Sequence, residues 1–276
     1  MKNYIYTLAI IIVGLSSCTE QIELDLNTDD NIRLVVDALL TTETKAHLVD
    51  LTLTTDYFQE GMPDPAQNAT VTISDGSITE ILTEIEPGKY YTTDGFTGEE
   101  NKTYTLEIDY NGKTHIGESE LLPVATLDSI QVVDYEDFIP PGQEEEENPD
   151  NYAVMPFFQD PPNPDNFYVF KMLINGEYFT GSIQDWFFTT DDAVNGSYIR
   201  DAEFFTFYAE PGDTITFEQL SITEEVYNNL NATLLETVFR GGLFDGAPAN
   251  VPSNINNGAV GVFIAADIER KSVIIE

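Results

Sequence analysis

Cysteine occurs once in this 276-residue chain, as Cys18 at the end of Leu15-Ser16-Ser17-Cys18. Lys2 and an apolar run from Tyr4 to Leu15 precede it, as in a bacterial signal peptide. The tetrapeptide matches a lipobox, in which the cysteine thiol takes a diacylglycerol and its freed amino group an acyl chain such as palmitate. We therefore predict a signal peptide over residues 1–17 and lipidation of Cys18. Three acyl chains anchor a protein permanently, so membrane attachment is predicted through lipid alone.

The other residues that could do chemistry do not form a catalytic motif. His47 and His115 are the two histidines, and each lies in a strand-like run. No nucleophile, zinc or phosphate-binding motif surrounds them. Paired carboxylates of the glycosidase type stay open as an alternative, but acids are so numerous that no pair can be named. We predict that the chain is not an enzyme and holds no cofactor or metal.

One aromatic cluster suggests a ligand site. Trp186-Phe187-Phe188 lies close to Asp191-Asp192, and stacking rings beside acids could hold a sugar or a peptide. The candidate ligand-binding residues are thus Trp186, Phe187, Asp191 and Asp192. The alternative interpretation, that these rings fill a sandwich core or contact a neighbouring subunit, is the one we favour.

The charge balance excludes some partners. The sequence has 49 acidic and 11 basic side chains, a formal net charge of −38. Nucleic acids and anionic headgroups are bound through Lys and Arg, so neither is a predicted partner. The run Glu144–Glu147 suggests calcium binding, but its consecutive carboxylates point in divergent directions and prolines flank it. A solvated acidic loop is the favoured interpretation.

Short β-prone runs separated by turn residues dominate the chain from Arg33 onward. Asp75-Gly76, Asn111-Gly112 and Asn175-Gly176 are hairpin turn signals between such runs. About seven strands before Leu122 are typical of a β-sandwich. One helix is predicted after Thr223, where a capping residue and two glutamates precede apolar residues at helical spacing.

These patterns predict a mainly all-β chain with four parts. Residues 1–17 are the signal peptide and residues 18–31 an acylated, acidic tether. Residues 32–122 form a β-sandwich domain, and residues 123–276 form a second β-rich domain that carries the helix. Acidic residues directly after Cys18 resemble the signal that exports Bacteroidota-type lipoproteins to the outer face of the outer membrane.

The order of several motifs resembles one family. Leu34–Asp37, Ala69–Ile73, Thr103–Leu106 and Leu127–Ile130 carry the resemblance, and Pro248–Ile255 followed by Gly258–Phe263 is its most specific part. The chain resembles a domain-of-unknown-function family of Bacteroidota-type outer-membrane lipoproteins encoded beside TonB-dependent transporters. The resemblance implies a transthyretin-like or Ig-like N-terminal sandwich, a family-specific β-rich domain and no catalytic residues.

The resemblance also implies a function. We expect a surface-exposed outer-membrane lipoprotein that serves as the partner or lid of a TonB-dependent transporter-like β-barrel. Two alternatives stay open at this point. One is a structural accessory subunit of an outer-membrane assembly or secretion complex, and the other is a free-standing glycan- or peptide-binding lipoprotein.

Overall fold

The computed structural model describes residues 32–55, 61–134, 152–162, 164–179, 181–200, 202–238 and 251–276. Cys18, the acidic tether and the Glu144–Glu147 run lie outside the described residues. Residues Arg33–Glu276 group into one compact unit. The prediction of a mainly β chain with one helix is confirmed.

Eight strands come from the first part of the chain. They are β1 Leu34–Thr41, β2 Leu48–Leu53, β3 Thr70–Ser74, β4 Thr79–Ile81, β5 Thr83–Glu86, β6 Lys89–Tyr91, β7 Lys102–Tyr110 and β8 Lys113–Leu121. They alternate buried and exposed side chains, as strands with one face on a core do. β1, β2, β6 and β5 belong to the first sheet, and β4-β3-β7-β8 is the second sheet.

Ten further strands and a helix follow. They are β9 Leu127–Asp134, β10 Tyr152–Gln159, β11 Phe167–Ile174, β12 Glu177–Tyr178, β13 Phe187–Thr190, β14 Tyr198–Ile199, β15 Phe205–Phe207, β16 Thr214–Ile222, α1 Glu224–Val238, β17 Val260–Ala266 and β18 Ile268–Ile274. A 3-10 turn spans Ile183–Asp185. β10 pairs with β9, β14 and β15 in the third sheet, and β12-β11-β16-β18 with β13 form the fourth sheet.

Turn chemistry sets the hairpins that the sequence predicts. Asn111 and Gly112 join β7 to β8 with φ angles of 50° and 75°. Asn175 and Gly176 join β11 to β12 with φ angles of 53° and 84°. Two consecutive positive φ angles match the twist of the flanking strands, and asparagine and glycine adopt them at low cost.

The predicted helix is also present. α1 begins after Thr223, whose side-chain oxygen accepts a hydrogen bond from the backbone N–H of Val226 at 3.3 Å. Glu224 and Glu225 stand in its first turn, where carboxylates oppose the positive end of the helix dipole. Val226 and Leu230 are buried against the sheets.

Three hydrophobic cores hold the four sheets as layers. One core lies between the first and second sheets and contains Leu51, Leu106 and Phe263. A second lies between the third and fourth sheets around Phe170, Phe207 and Phe217. The third joins the fourth sheet and α1 to the opposite face of the first sheet. The order of layers is therefore second, first, fourth and third sheet.

The C-terminal part of the chain returns to the N-terminal sandwich. β17 pairs in parallel with β1, with Val35 opposite Val260 and Thr41 opposite Ala266. Val262 and Ile264 face the fourth sheet, whereas Phe263 enters the first core. The first sheet therefore includes one strand, β17, from beyond the predicted division at residues 122 and 123.

Candidate functional site

A cavity of about 510 Å³ opens between the first and fourth sheets. We call it the inter-sheet cleft. Its first-sheet wall carries Asp37, Leu39, Asp50 and Ile264, and the loop before β2 adds Lys45 to Leu48. Its fourth-sheet wall carries Lys171, Tyr178 and Trp186. Small-molecule sites typically have this size and this mixture of apolar surface with few charged groups.

Lys171 is the most unusual residue of the cleft. Side chains alternate along β11, so Phe170 and Met172 enter the core beside the third sheet while Lys171 points the other way. Lys171 is only 8 % exposed. Its Nζ atom lies 3.6 Å from the centroid of the Trp186 ring, a close cation–π contact. Burial lowers the pKa of Lys171 to about 8, against the attraction of Glu218 and Asp37.

The ammonium of Lys171 has an unused hydrogen-bonding capacity. Within the described part of the chain, no side chain or backbone group accepts a hydrogen bond from it or forms an ion pair with it. Its contacts are the Trp186 ring and, at 5.9 Å from the centroid, the Tyr178 ring. An ammonium carries three donors, so an acceptor that enters the cleft would find them available.

Two aspartates face the cleft from the first sheet. Asp37 in β1 lies directly opposite Asp50 in β2 in the antiparallel register. Asp37 keeps contact with solvent, but protein atoms crowd around it on the cavity wall. This desolvation raises the pKa of Asp37, the charge of Lys171 lowers it, and the charge of Asp50 raises it further. The first-sheet wall thus carries two neighbouring carboxylates, and Lys171 on the fourth-sheet wall attracts that of Asp37.

A buried network of charges fixes the fourth-sheet wall. Glu218, only 1 % exposed, lies opposite Lys171 in β11 and opposite Arg270 in β18. Arg270 Nε donates to Glu218 at 2.5 Å, and its Nη1 donates to Glu43. The Tyr178 hydroxyl donates to the other Glu218 oxygen at 3.1 Å. Burial and the charge of Glu218 raise the pKa of Tyr178 to about 12, so this hydroxyl stays protonated.

His47 holds the loop that bears Lys45. Its Nδ1 accepts from the backbone N–H of Thr41 at 3.4 Å, and its Nε2 lies 3.1 Å from the carbonyl oxygen of Glu43. This pattern fits a neutral ring with its proton on Nε2. Burial, with the charge of Lys45, lowers the pKa of His47. His47 is thus a structural residue at the rim of the cleft.

The comparison with protein families matches this chain over nearly its whole length. The profile of one family, described as a domain of unknown function (DUF4249), matches residues 19–272. The chain belongs to the DUF4249 family. The predicted membership of a domain-of-unknown-function family is thereby confirmed. None of the curated proteins matches the chain.

The most specific family segment of the DUF4249 chain has a clear structural role. Asn254 donates from Nδ2 to the carbonyl oxygens of Glu118 and Phe263 at 3.0 and 2.7 Å, and its Oδ1 accepts from the backbone N–H of Phe263. Asn256 and Ile116 exchange further hydrogen bonds at the open edge of β8. The segment thereby ties the second sheet to β17 of the first sheet.

A smaller aromatic cavity of about 220 Å³ lies on the other side of the fourth sheet. Phe170, Phe187 and Phe204 line it, with the rings of Phe170 and Phe187 stacked at 5.7 Å. Asp160 accepts hydrogen bonds there from the Tyr168 hydroxyl at 2.7 Å and from a backbone amide. Burial raises the pKa of Asp191, whose Oδ1 has no partner among the described residues.

The four candidate ligand-binding residues of the DUF4249 chain do not share one site. Trp186 lines the inter-sheet cleft, while Phe187 and Asp191 line the aromatic cavity. Neighbouring residues in an extended segment point to opposite faces, which separates Trp186 from Phe187. Asp192 lies in the turn after β13, where its Oδ2 accepts from the Thr190 hydroxyl at 2.9 Å.

Sequence reasoning missed Lys171, Asp37 and Asp50. A signal for two of them exists, because Lys171 and Asp37 are single charges inside otherwise apolar strands. Lys171 is also nearly buried, which is costly for a charge and therefore deserves a functional explanation. Their convergence depends on pairing of β1 with β17 and on the packing of two sheets, which no local pattern encodes.

The described residues contain no group of three or more His, Cys, Asp or Glu side chains placed to hold a metal ion. None of the helices described is long and apolar enough to cross a membrane.

Proposed function

We propose that this DUF4249 chain is a non-enzymatic, lipid-anchored protein on the outer face of an outer membrane. It serves there as the partner of a TonB-dependent transporter-like barrel. The lipobox ending at Cys18 supports the anchor, and the family resemblance supports the barrel. The observation that carries a partner role is an exposed apolar edge of the N-terminal sandwich.

This edge consists of Ile78, Ile81 and Ile85, which are 63 %, 69 % and 66 % exposed. We call it the isoleucine edge. β4 is the outermost strand of the second sheet, and β5 is the outermost strand of the first. Ile81 ends β4, Ile85 lies in β5 and Ile78 directly precedes β4, so the three residues lie within eight positions of one another.

Two half-exposed glutamates of the same segment accept hydrogen bonds from backbone amides. Glu80 accepts a hydrogen bond from the backbone N–H of Thr93 at 2.7 Å. Glu84 accepts from the backbone N–H groups of Asn68 and Gly88, both at 2.9 Å. Edge strands usually carry charges outward to prevent association. Here three large apolar side chains stand in water although Glu86 carries a charge outward beside them, and this apolar exposure favours a protein surface that covers them.

Co-purification tests this proposal. The tagged, lipidated chain is isolated from gently solubilised membranes and every accompanying chain is identified. We expect a transporter-like barrel, and we expect the double variant Ile81→Asp, Ile85→Asp to lose it. Ile274→Asp is the matched control, because Ile274 is 63 % exposed on a different sheet.

Other outcomes would change the conclusion. Recovery with a larger assembly or secretion complex would replace the transporter partner by an accessory role in that complex. Retention of the barrel by the double variant would remove the isoleucine edge from the interface. The variant Cys18→Ala addresses the anchor separately, since release from membranes is expected when the lipid is lost.

A further inference from the structure

We infer that the inter-sheet cleft binds a small zwitterion, an amino acid or a short peptide. Its carboxylate would contact Lys171, and its ammonium group would lie at Asp37 and Asp50. This site is separate from the isoleucine edge, and the inference does not depend on the barrel partner.

The anionic end of the ligand follows from Lys171. A buried ammonium is stabilised when an acceptor replaces the water that it has lost. The Trp186 ring at 3.6 Å supplies only a face contact, so the donors of Nζ remain unused by the described residues. A carboxylate forms the strongest hydrogen bonds with an ammonium, because both groups are charged.

The cationic end follows from the opposite wall. Asp37 and Asp50 are neighbours across the strand pair, and the charge of Asp50 raises the pKa of Asp37. A ligand ammonium between them would relieve that repulsion and could pair with the carboxylate of Asp37, which is exposed in the cleft. Within the described residues, Lys171 does not reach either aspartate as an ion pair. The space between the two walls is therefore free for a ligand with charges at both ends.

The middle of the ligand is apolar or small. Between the charged groups the cleft is lined by Leu39, Ile264 and the ring of Trp186. A volume of about 510 Å³ accommodates an amino acid or a short peptide with apolar side chains.

The charge of the whole chain favours a zwitterion over a simple anion. A formal net charge of −38 repels anions at long range, so a ligand that carries only negative charge would approach slowly. A simple cation would leave Lys171 without an acceptor. A neutral sugar could hydrogen-bond to both walls, but it would gain less from either charge.

The test is calorimetric titration of the lipidated full chain in detergent with leucyl-leucine. N-acetyl-leucyl-leucine lacks the ammonium, and leucyl-leucine amide lacks the carboxylate. We expect both to bind at least about tenfold more weakly than the free dipeptide. Free leucine and tetraleucine then distinguish an amino-acid site from a peptide site, and maltose represents a neutral polyol.

Two variants test which side chain of the cleft contacts each charged end of the ligand. Lys171→Met should bind leucyl-leucine and its amide with equal affinity, because the group that senses the carboxylate is gone. Asp37→Asn should likewise bind leucyl-leucine and its N-acetyl form equally. Lys271→Met is the control, since Lys271 is exposed outside the cleft and its loss should leave all affinities unchanged.

Three results would overturn the inference. The first is no binding of leucine or any of the peptides at concentrations up to about 10 mM. The second is equal affinity of the wild-type chain for the free and the blocked dipeptides, which needs no variant to fold. The third is tight binding of maltose that excludes the dipeptide, which would make the cleft a sugar site. None of these results bears on whether the barrel co-purifies.

Discussion

Lys171 occupies a buried position where an apolar residue would give a more favourable free energy of folding. It follows Phe170 and precedes Met172 in a central strand, and it is almost fully buried. Removing an ammonium from water costs several kcal/mol unless partners replace the solvent. Here the replacement is incomplete, because burial lowers the pKa of Lys171 despite the Trp186 ring and the attraction of Glu218 and Asp37. A residue kept at such a cost is typical of a binding site rather than of a structural core.

We expect Lys171→Met to stabilise the protein at pH 7. The lowered pKa of Lys171, about 8 in place of 10.5, corresponds to roughly 3 kcal/mol of folding cost. The variant also loses the cation–π contact with Trp186, which destabilises it by about 1–2 kcal/mol. The net gain should be about 1–2 kcal/mol, measured by urea unfolding of the two proteins side by side.

The stability difference between the wild type and Lys171→Met should change with pH in a defined direction. Between pH 8 and pH 10.5 the unfolded chain binds more protons at Lys171 than the folded chain does. The wild-type stability therefore rises relative to that of the variant over this interval, and the advantage of the variant disappears. If the stability advantage of Lys171→Met over the wild type grew with pH, this would contradict a lowered pKa of Lys171. Lys271→Met, at an exposed position, should show no such trend.

Gln219 is a second residue where polarity and burial conflict. Its side chain is fully buried, and neither Oε1 nor Nε2 has a hydrogen-bond partner among the described residues. Gln219→Met keeps the length of the side chain and removes both unsatisfied groups. We expect thermal unfolding to show stabilisation by about 1–3 kcal/mol. The exposed Gln184→Met should have no effect, and a destabilised Gln219→Met would indicate that a buried water bonds the amide.

β17 joins layers because both of its faces are buried. Its sequence, Val260–Ala266, is an unbroken apolar run apart from Gly261, as expected for a strand covered on both sides. Gly261 has a φ of +97°, and a Cβ atom there would lie 2.0 Å from the carbonyl oxygen of Val36. The parallel pairing with β1 therefore requires glycine at this position.

Gly261→Ala should destabilise the protein strongly. The positive φ alone costs an alanine about 1–3 kcal/mol, and the contact with Val36 adds to it by pushing β17 away from β1. Gly112→Ala is the matched control, since Gly112 also has a positive φ but has open space around its Cα. We expect denaturant unfolding to show a clearly larger loss for Gly261→Ala. Equal losses would mean that the backbone angle alone matters.

Local patterns predicted the local elements and little of the assembly. The Asn111-Gly112 and Asn175-Gly176 hairpins and the helix after Thr223 follow from turn and capping chemistry that involves a few adjacent residues. The apolar run at Ala259 also indicated a strand. Its partner could not be predicted, because β1 lies more than two hundred residues away and parallel pairing leaves no turn signal. The inter-sheet cleft depends on that pairing and was missed with it.

At the scale of the whole molecule, the layers are connected at several points. Asp267, between β17 and β18, accepts hydrogen bonds from the Thr42 hydroxyl at 2.6 Å and from the backbone N–H of Val124 at 3.0 Å. Ser221 donates to the carbonyl oxygen of Leu122, next to the predicted domain boundary. These bonds and the third core connect the parts of the chain on either side of that boundary.

The high negative charge of the chain should make its stability depend on salt. Forty-nine acids against eleven bases repel one another in the compact state, and few of them have a cation nearby. Raising sodium chloride from 0.01 to 0.15 M shortens the screening length from about 30 Å to about 8 Å. We expect the thermal midpoint to rise by roughly 2–6 °C, followed by circular dichroism. A fall in the thermal midpoint would show that attractive pairs such as Glu43 with Arg270 outweigh the repulsion.

Calcium and magnesium chloride at equal concentration should raise the thermal midpoint equally if screening is the cause. A larger effect of calcium would reveal a specific calcium site.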